Sequence, residues 1–220
     1  MSTEKTNNNR MVISFLTIRK AIGFMGIFLP AALLAATFLV GQCSRIQDSI
    51  SHYYFTIAGD IFVGVLCAVA LFLIAYKGYD RNDNTWTTIA GVAAILVALY
   101  PTTQNDDAVC SVVHLTDNKA RVWVHYTAAA IFFLSLSFIS FFLFTKSRGQ
   151  KTPEKLARNK IYRSCAVIMV ACIILVFIAT RDSIAQDADA IHAVFWLEWI
   201  ALLAFGTSWL VKGELLLSDE

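Results

Sequence analysis

The stretch Ser49-Ile-Ser-His-Tyr-Tyr-Phe-Thr-Ile-Ala-Gly-Asp60 decides how this chain folds, because it joins a polar segment to a long apolar run. The apolar run continues to Tyr76 and ends at Lys77-Gly78, a basic flank followed by a residue that commonly ends helices. A run of about 20 apolar residues is long enough to cross a bilayer as a helix. The stretch therefore predicts a transmembrane helix that carries the Asp60 carboxylate near its start.

The rest of the chain repeats this alternation of polar and apolar segments. Of the 220 residues, 57% are apolar and 15% are charged, whereas about a quarter of the residues in a soluble domain are charged. The net charge of +2 gives no reason to expect a nucleic-acid partner. We therefore expect one membrane domain whose partner is the lipid bilayer, while the oligomeric state stays open.

Six apolar runs predict an all-α bundle of six transmembrane helices, with polar tails at 1–17 and 213–220. The third run is the weakest, and Pro101 closes it. Its residues Ala90, Ala94 and Ala98 form a small-residue stripe that would let another helix approach closely. The predicted spans are about 19–40, 56–76, 86–101, 123–145, 161–180 and 192–211.

The basic residues predict which ends of the helices face the cytoplasm. With a cytoplasmic N-terminus, the inner segments hold 14 of the 18 lysines and arginines, and the outer segments hold 4. This asymmetry indicates that both termini are cytoplasmic. The loop Lys146–Arg163 carries seven of the inner basic residues. It is a topology signal, and it could also contact anionic lipid head groups.

Two carboxylates fall inside apolar runs, Asp60 in the second and Glu198 in the sixth. An ionised carboxylate in hydrocarbon is costly unless it is paired or faces a polar cavity, so both are candidates for a functional site. Asp60 could instead pair with Arg181 or with a helix terminus. Glu198 lies between Trp196 and Trp199, where its side chain could reach the interface.

Three histidines lie at the predicted outer ends of different spans. His52 precedes the second span, His125 opens the fourth, and His192 opens the sixth. If these ends converge, the three imidazoles could hold zinc and leave a fourth position for water. The alternative is that each histidine is an amphipathic side chain at the interface. Ser49 and Ser51 beside His52 could also be interpreted as a nucleophile and its base.

The five cysteines divide by location. Cys43 and Cys110 fall in predicted outer loops, and the oxidising side of a bacterial envelope favours a disulfide between them. Cys67, Cys165 and Cys172 lie inside apolar runs, where a cysteine behaves as a small packing residue. The pattern therefore predicts one disulfide on the outer side and three thiols within the bundle.

The stretch Ser49–Gly64, together with Leu99–Thr102, Arg158–Cys165 and Phe195–Trp199, resembles an uncharacterised group of bacterial six-span membrane proteins of the Bacteroidetes type. The resemblance covers nearly the whole chain and implies a location in the bacterial inner membrane, but it implies no activity. A more distant likeness is to the alkaline ceramidase and adiponectin-receptor type of membrane hydrolase, which uses Ser, Asp and three His around zinc. This chain differs in having six spans rather than seven and Trp196 where a second histidine is needed.

These residues leave three functions open. In the first, a metal-assisted hydrolase acts on a lipid or amphiphile, with Glu198 as general base and Asp60 beside the metal. In the second, a proton- or cation-coupled transporter, channel or pH sensor uses both carboxylates to take up protons or cations. In the third, a structural or partner-binding protein uses its polar residues only to lock helices together.

Overall fold

The computed structural model describes residues 2–78, 80–104, 110–116, 118–147, 152–181, 185 and 191–215, with side chains from residue 15 onward. The end of the predicted C-terminal tail, 216–220, lies outside these residues. The described part has no strand, and its one isolated bridge joins Thr56 to Ser111. The predicted all-α class is therefore confirmed. The helices are α1 Ser2–Ala35, α2 Gly59–Ala75, α3 Arg81–Leu99, α4 Lys119–Phe138, α5 Pro153–Ala179 and α6 Ala193–Lys212.

Short helical turns of other types extend this framework. A π-helical turn continues α1 from Ala36 to Val40, another continues α4 from Ile139 to Leu143, and a 3-10 helix, Ser51–Phe55, precedes α2. Four helices are long and apolar enough to cross a membrane: α1 from Phe15 with its extension, α4 with its extension, α5 and α6. α2 is apolar but shorter, at 17 residues. These lengths and compositions suit a bundle embedded in lipid.

Some helices begin well before their apolar runs, because polar caps satisfy their first N–H groups. α5 begins at Pro153 rather than near 161, and the Thr152 hydroxyl accepts a hydrogen bond from the N–H of Lys155 at 3.2 Å. α3 begins likewise behind the cap Asp80. Capping lets a helix start in polar sequence that hydropathy alone assigns to a loop. The C-terminal part of the predicted loop Lys146–Arg163 is therefore helical.

Contacts at the two ends show that the helices alternate in direction. Cys43, which follows α1, is bonded to Cys110, which follows α3, so the predicted disulfide is confirmed. At the opposite end, Lys146 after α4 is 2.8 Å from both Asp80 and Asp83 at the start of α3. Each contact joins residues separated by two helices. We call the first the disulfide end and the second, which also contains Arg19 and Lys212, the basic end.

The ion pair at the basic end keeps its groups charged. The hydrogen bond from Lys146 holds the pKa of Asp80 below its usual range, and the two carboxylates raise the pKa of Lys146. Asp80 also accepts the N–H of Asp83 at 3.0 Å as the cap of α3. The contact therefore fixes the end of α4 against the first turn of α3 at neutral pH.

Small residues let neighbouring helices approach closely. Ala90, Ala94 and Ala98, the predicted stripe, are all fully buried, and α3 packs against both α2 and α4. A polar contact also links the π-helical continuation of α4 to α6 near the basic end, because the Ser140 hydroxyl donates to the Ser208 hydroxyl at 3.0 Å. The bundle is therefore held by close packing and a few buried hydrogen bonds.

The tightest approach described for α1 and α6 is at Gly206. A Cβ atom there would lie 2.5 Å from the Gly23 carbonyl oxygen and 2.5 Å from Cγ1 of Ile27. Neither backbone can move without disturbing the packing along the helix pair. Gly64 on α2 differs, because a Cβ atom there would meet no atom within 4 Å.

We expect Gly206→Ala to destabilise the protein by about 1–3 kcal/mol, because the added methyl group overpacks the α1–α6 contact. Gly64→Ala is the matched control, and it should be neutral or slightly stabilising because alanine favours the helix. Reversible unfolding in mild detergent measures both free energies. Equal stability of the two variants would contradict the close approach.

Candidate functional site

The segment Asp48–His52, which we call the anchor segment, lies at the disulfide end and enters the 3-10 helix before α2. The loop after α3 fastens the far end of that 3-10 helix, since the N–H of Val112 donates to the Phe55 carbonyl oxygen at 2.8 Å. The Cys43–Cys110 disulfide ties the same two loops together covalently. The anchor segment is therefore held next to α2 and α3, in reach of side chains from α4 and α6.

Glu198 of α6 binds the backbone of the anchor segment. Its Oε2 atom accepts a hydrogen bond from the N–H of Ile50 at 2.6 Å, a short distance typical of a bond to an ionised group. The side chain is partly buried, and the stacked rings of Trp196 and Trp199 flank it along α6. Among the described residues, none forms an ion pair with Glu198. A backbone N–H group thus provides the contact that a cation would otherwise make.

His125 of α4 uses both ring nitrogens in hydrogen bonds. Nδ1 lies 2.7 Å from the Tyr100 carbonyl oxygen, and Nε2 lies 3.1 Å from the Ser51 hydroxyl. A carbonyl oxygen can only accept, so Nδ1 carries the proton and Nε2 accepts from Ser51. The ring is only 2% exposed. In this arrangement His125 joins α4 to the end of α3 and to the anchor segment, and no ring nitrogen is left for a metal.

His192 connects the start of α6 to the same segment. It caps the helix in the left-handed region, with φ 50° and ψ 43°, a conformation that is uncommon outside glycine. Its Nδ1 atom lies 3.2 Å from a carboxylate oxygen of Asp48, and the Asp48 carbonyl accepts the N–H of Phe195 at 3.0 Å. Asp48 therefore fixes both the side chain and the backbone at this helix start.

The remaining polar groups of the disulfide end form local contacts. The Ser49 hydroxyl lies 2.8 Å from Nδ1 of His52 and accepts the N–H of His52 at 3.2 Å. His114 contacts Gln104 at 3.0 Å on the exposed loop after α3. Tyr53 packs against Phe195, and burial raises the pKa of its hydroxyl, so that it stays neutral at physiological pH.

The structure brings together most, but not all, of the predicted site residues. His125, His192 and Glu198 all reach the anchor segment, which contains His52. Asp60 is exposed in the first turn of α2, where the partial positive charge of a helix N-terminus favours a carboxylate. In the described ranges, no group of three or more His, Cys, Asp or Glu side chains is placed to hold a metal ion. The predicted zinc ligands therefore gain no support.

Sequence reasoning missed the partners that complete this site. The N–H of Ile50 and the carbonyl oxygen of Tyr100 are backbone groups, which residue type does not reveal. The sequence places Ser51 beside its neighbour His52, but its partner is His125, 74 positions along the chain. The sequence indicates only that Ser51 and His125 both lie at predicted outer ends of apolar runs. Their contact depends on how α4 packs beside the anchor segment in the folded bundle.

Comparison with known proteins identifies no relative of this chain. A scan of protein families matched none, and searches of curated proteins and of solved structures returned no match. The likeness to bacterial six-span proteins and the distant likeness to membrane hydrolases both stay predictions. Function must therefore be inferred from the contacts at the disulfide end, which join three helices through one short segment.

Proposed function

We propose that this chain is a six-span integral protein of a bacterial inner membrane with both termini in the cytoplasm. The alternating direction of the helices supports six crossings, because α2 and α3 lie between the membrane-length helices α1 and α4. The distribution of basic residues supports the orientation. The basic segment Lys146–Arg163 would then face the cytoplasmic leaflet, where anionic lipid head groups attract lysine and arginine.

Ile191 and Glu154 flank α5 at opposite ends, and both side chains are exposed. We expect Ile191→Cys to react with a membrane-impermeant maleimide in intact cells, because the disulfide end faces outward. Glu154→Cys should react only after the cells are permeabilised. Labelling of both variants, or of Glu154→Cys alone, in intact cells would contradict this orientation.

We further propose that the disulfide end responds to protons, as a pH sensor or as the gate of a proton-coupled transporter. The hydrogen bond between the Glu198 carboxylate and the N–H of Ile50 carries this proposal. An ionisable group within a transmembrane segment is a candidate for proton uptake. Protonation would replace a charge-assisted hydrogen bond with a weaker neutral one and would loosen the anchor segment from α6.

His125 strengthens this interpretation, because proton uptake would change its contact with the anchor segment. A proton on Nε2 of His125 would reverse the hydrogen bond with Ser51 and would place a charge on a buried ring. The anchor segment would then be held less firmly by both Glu198 and His125.

The other two functions differ in how well they fit these contacts. The metal-assisted hydrolase stays a prediction, because His125 uses both ring nitrogens and the three imidazoles do not form a ligand group among the described residues. The structural function explains the same hydrogen bonds without any response to pH. A variant that keeps the hydrogen bond but cannot change its charge separates these two explanations.

We expect the backbone protection of the peptide that contains Ile50 to fall about tenfold between about pH 7 and about pH 3 in the wild type, because a glutamate carboxyl ordinarily takes up its proton near pH 4. Glu198→Gln should keep its protection at both pH values, because the amide oxygen still accepts the Ile50 N–H and does not titrate. Hydrogen exchange measured by mass spectrometry, corrected for intrinsic exchange rates, gives both values.

Asp60→Asn is the matched control, since it removes an exposed carboxylate from another helix start. This variant should lose protection on acidification as the wild type does. An equal loss of protection in Glu198→Gln and the wild type would contradict proton sensing at Glu198. It would instead favour the structural function.

A further inference from the structure

The loop after α3 contains an exposed apolar segment, 110–115, which we call the apolar loop. The side chains of Val112, Val113 and Leu115 are 64%, 37% and 38% exposed. The segment contains no lysine, arginine, aspartate or glutamate. Loops in water ordinarily carry polar side chains, whereas a group of exposed apolar side chains marks an interaction surface. The apolar loop is therefore a candidate contact surface at the disulfide end.

The exposed residues of the apolar loop have backbone groups that are paired within the protein. The N–H groups of Val112 and Val113 both donate to the Phe55 carbonyl oxygen, at 2.8 and 3.2 Å. The Gln104 side chain accepts the N–H of Leu115 at 3.3 Å and donates to the Val113 carbonyl oxygen at 3.1 Å. Water would satisfy these groups in an aqueous loop, but unpaired backbone groups are costly in contact with lipid. The pairing therefore suits a loop that leaves water.

The apolar loop is joined to the end of a membrane-length helix. Cys110 is bonded to Cys43, which follows the π-helical continuation of α1. Leu39 and Val40 in that continuation are 81% and 68% exposed. Because α1 with its continuation is long and apolar enough to cross a membrane, these side chains suit contact with lipid. The apolar loop therefore continues a surface of lipid-facing character.

Exposed aromatic side chains lie at the same end of the bundle. Tyr100 follows α3, Trp123 lies near the start of α4, and Trp196 lies near the start of α6. Tryptophan and tyrosine are enriched where the membrane meets water. They indicate that the membrane boundary lies at these helix ends, the level at which the apolar loop leaves the bundle.

We propose that the apolar loop inserts into the bilayer leaflet at the disulfide end, at the boundary between head groups and acyl chains. Apolar side chains of interfacial elements contact acyl chains at this depth while polar groups stay among the head groups. His114 is the polar side chain of this loop, and it contacts Gln104 at 3.0 Å. A histidine is amphipathic and suits the level of the head groups.

Insertion connects the leaflet to the candidate functional site. Val112 and Val113 both donate to Phe55, which ends the 3-10 helix that begins within the anchor segment. A lipid contact of the apolar loop therefore acts on the same short helix that Ser51 enters. The inference does not depend on proton sensing by Glu198, nor on which side of the membrane the disulfide end faces.

The full chain, reconstituted into vesicles of phosphatidylcholine and phosphatidylglycerol, provides the test through a nitroxide spin label attached to Val112→Cys. Oxygen concentrates among the acyl chains, whereas a water-soluble nickel chelate, supplied on both sides of the membrane, stays in water. We expect the ratio of oxygen to nickel accessibility to be several-fold higher at Val112→Cys than at Lys119→Cys. Lys119 is the matched position, because it is exposed at the same end and its charge favours water.

The unsubstituted protein, labelled in parallel, gives the background from the free cysteines Cys67, Cys165 and Cys172. If the cysteine added at Val112 exchanges with the native disulfide, Leu115→Cys decides in the same way. Equal ratios at the loop position and at Lys119→Cys would overturn the proposal, because the loop would then lie in water. Protection of the loop label from both reagents would also overturn it, because a second copy or another protein would then cover the loop.

Discussion

The hydrogen bond from the N–H of Ile50 to the Glu198 carboxylate is the contact on which the disulfide end depends. A carboxylate within an apolar helix needs a polar partner, and the anchor segment provides one. The anchor segment therefore lies next to the start of α6, where the Asp48 carboxylate also contacts Nδ1 of His192. It places Ser51 beside His125, so that α4 is joined to the same point. Glu198 thus holds α6 against the segment that leads into α2 and contacts α4.

The two ends of the bundle have opposite electrostatic character. The disulfide end contains the histidines and a carboxylate held by backbone N–H groups, with few lysines or arginines nearby. The basic end contains the buried side chains of Arg158 and Lys212 and the ion pair of Lys146 with Asp80 and Asp83. Proton uptake suits the environment of the disulfide end. The helices alternate in direction, so the end of one helix lies beside the start of the next. Residues at opposite ends of a helix therefore lie at opposite ends of the bundle.

The helical class and the disulfide could be predicted, because apolar runs and the two cysteines between them are visible in the order of the residues. The starts of α3 and α5 could not, since the caps Asp80 and Thr152 extend these helices into polar sequence. Glu198 stands out in the sequence, because an acid inside an apolar run is unusual. Its partner could not be predicted, because backbone groups are the same at every residue. Asp60 looked equivalent in sequence, but the orientation of α2 leaves it exposed.

A double-mutant cycle tests most directly whether Glu198 and His125 hold one shared segment. The cycle combines Glu198→Leu with Ser51→Ala, which remove the contacts to α6 and α4 respectively. If the segment is shared, the unfolding free energies should depart from additivity by more than about 0.5 kcal/mol, because either loss weakens the other contact. Glu198→Leu with Ser140→Ala, which lies in the π-helical continuation of α4, should be additive. Additivity within about 0.5 kcal/mol for the first pair would contradict the shared anchor.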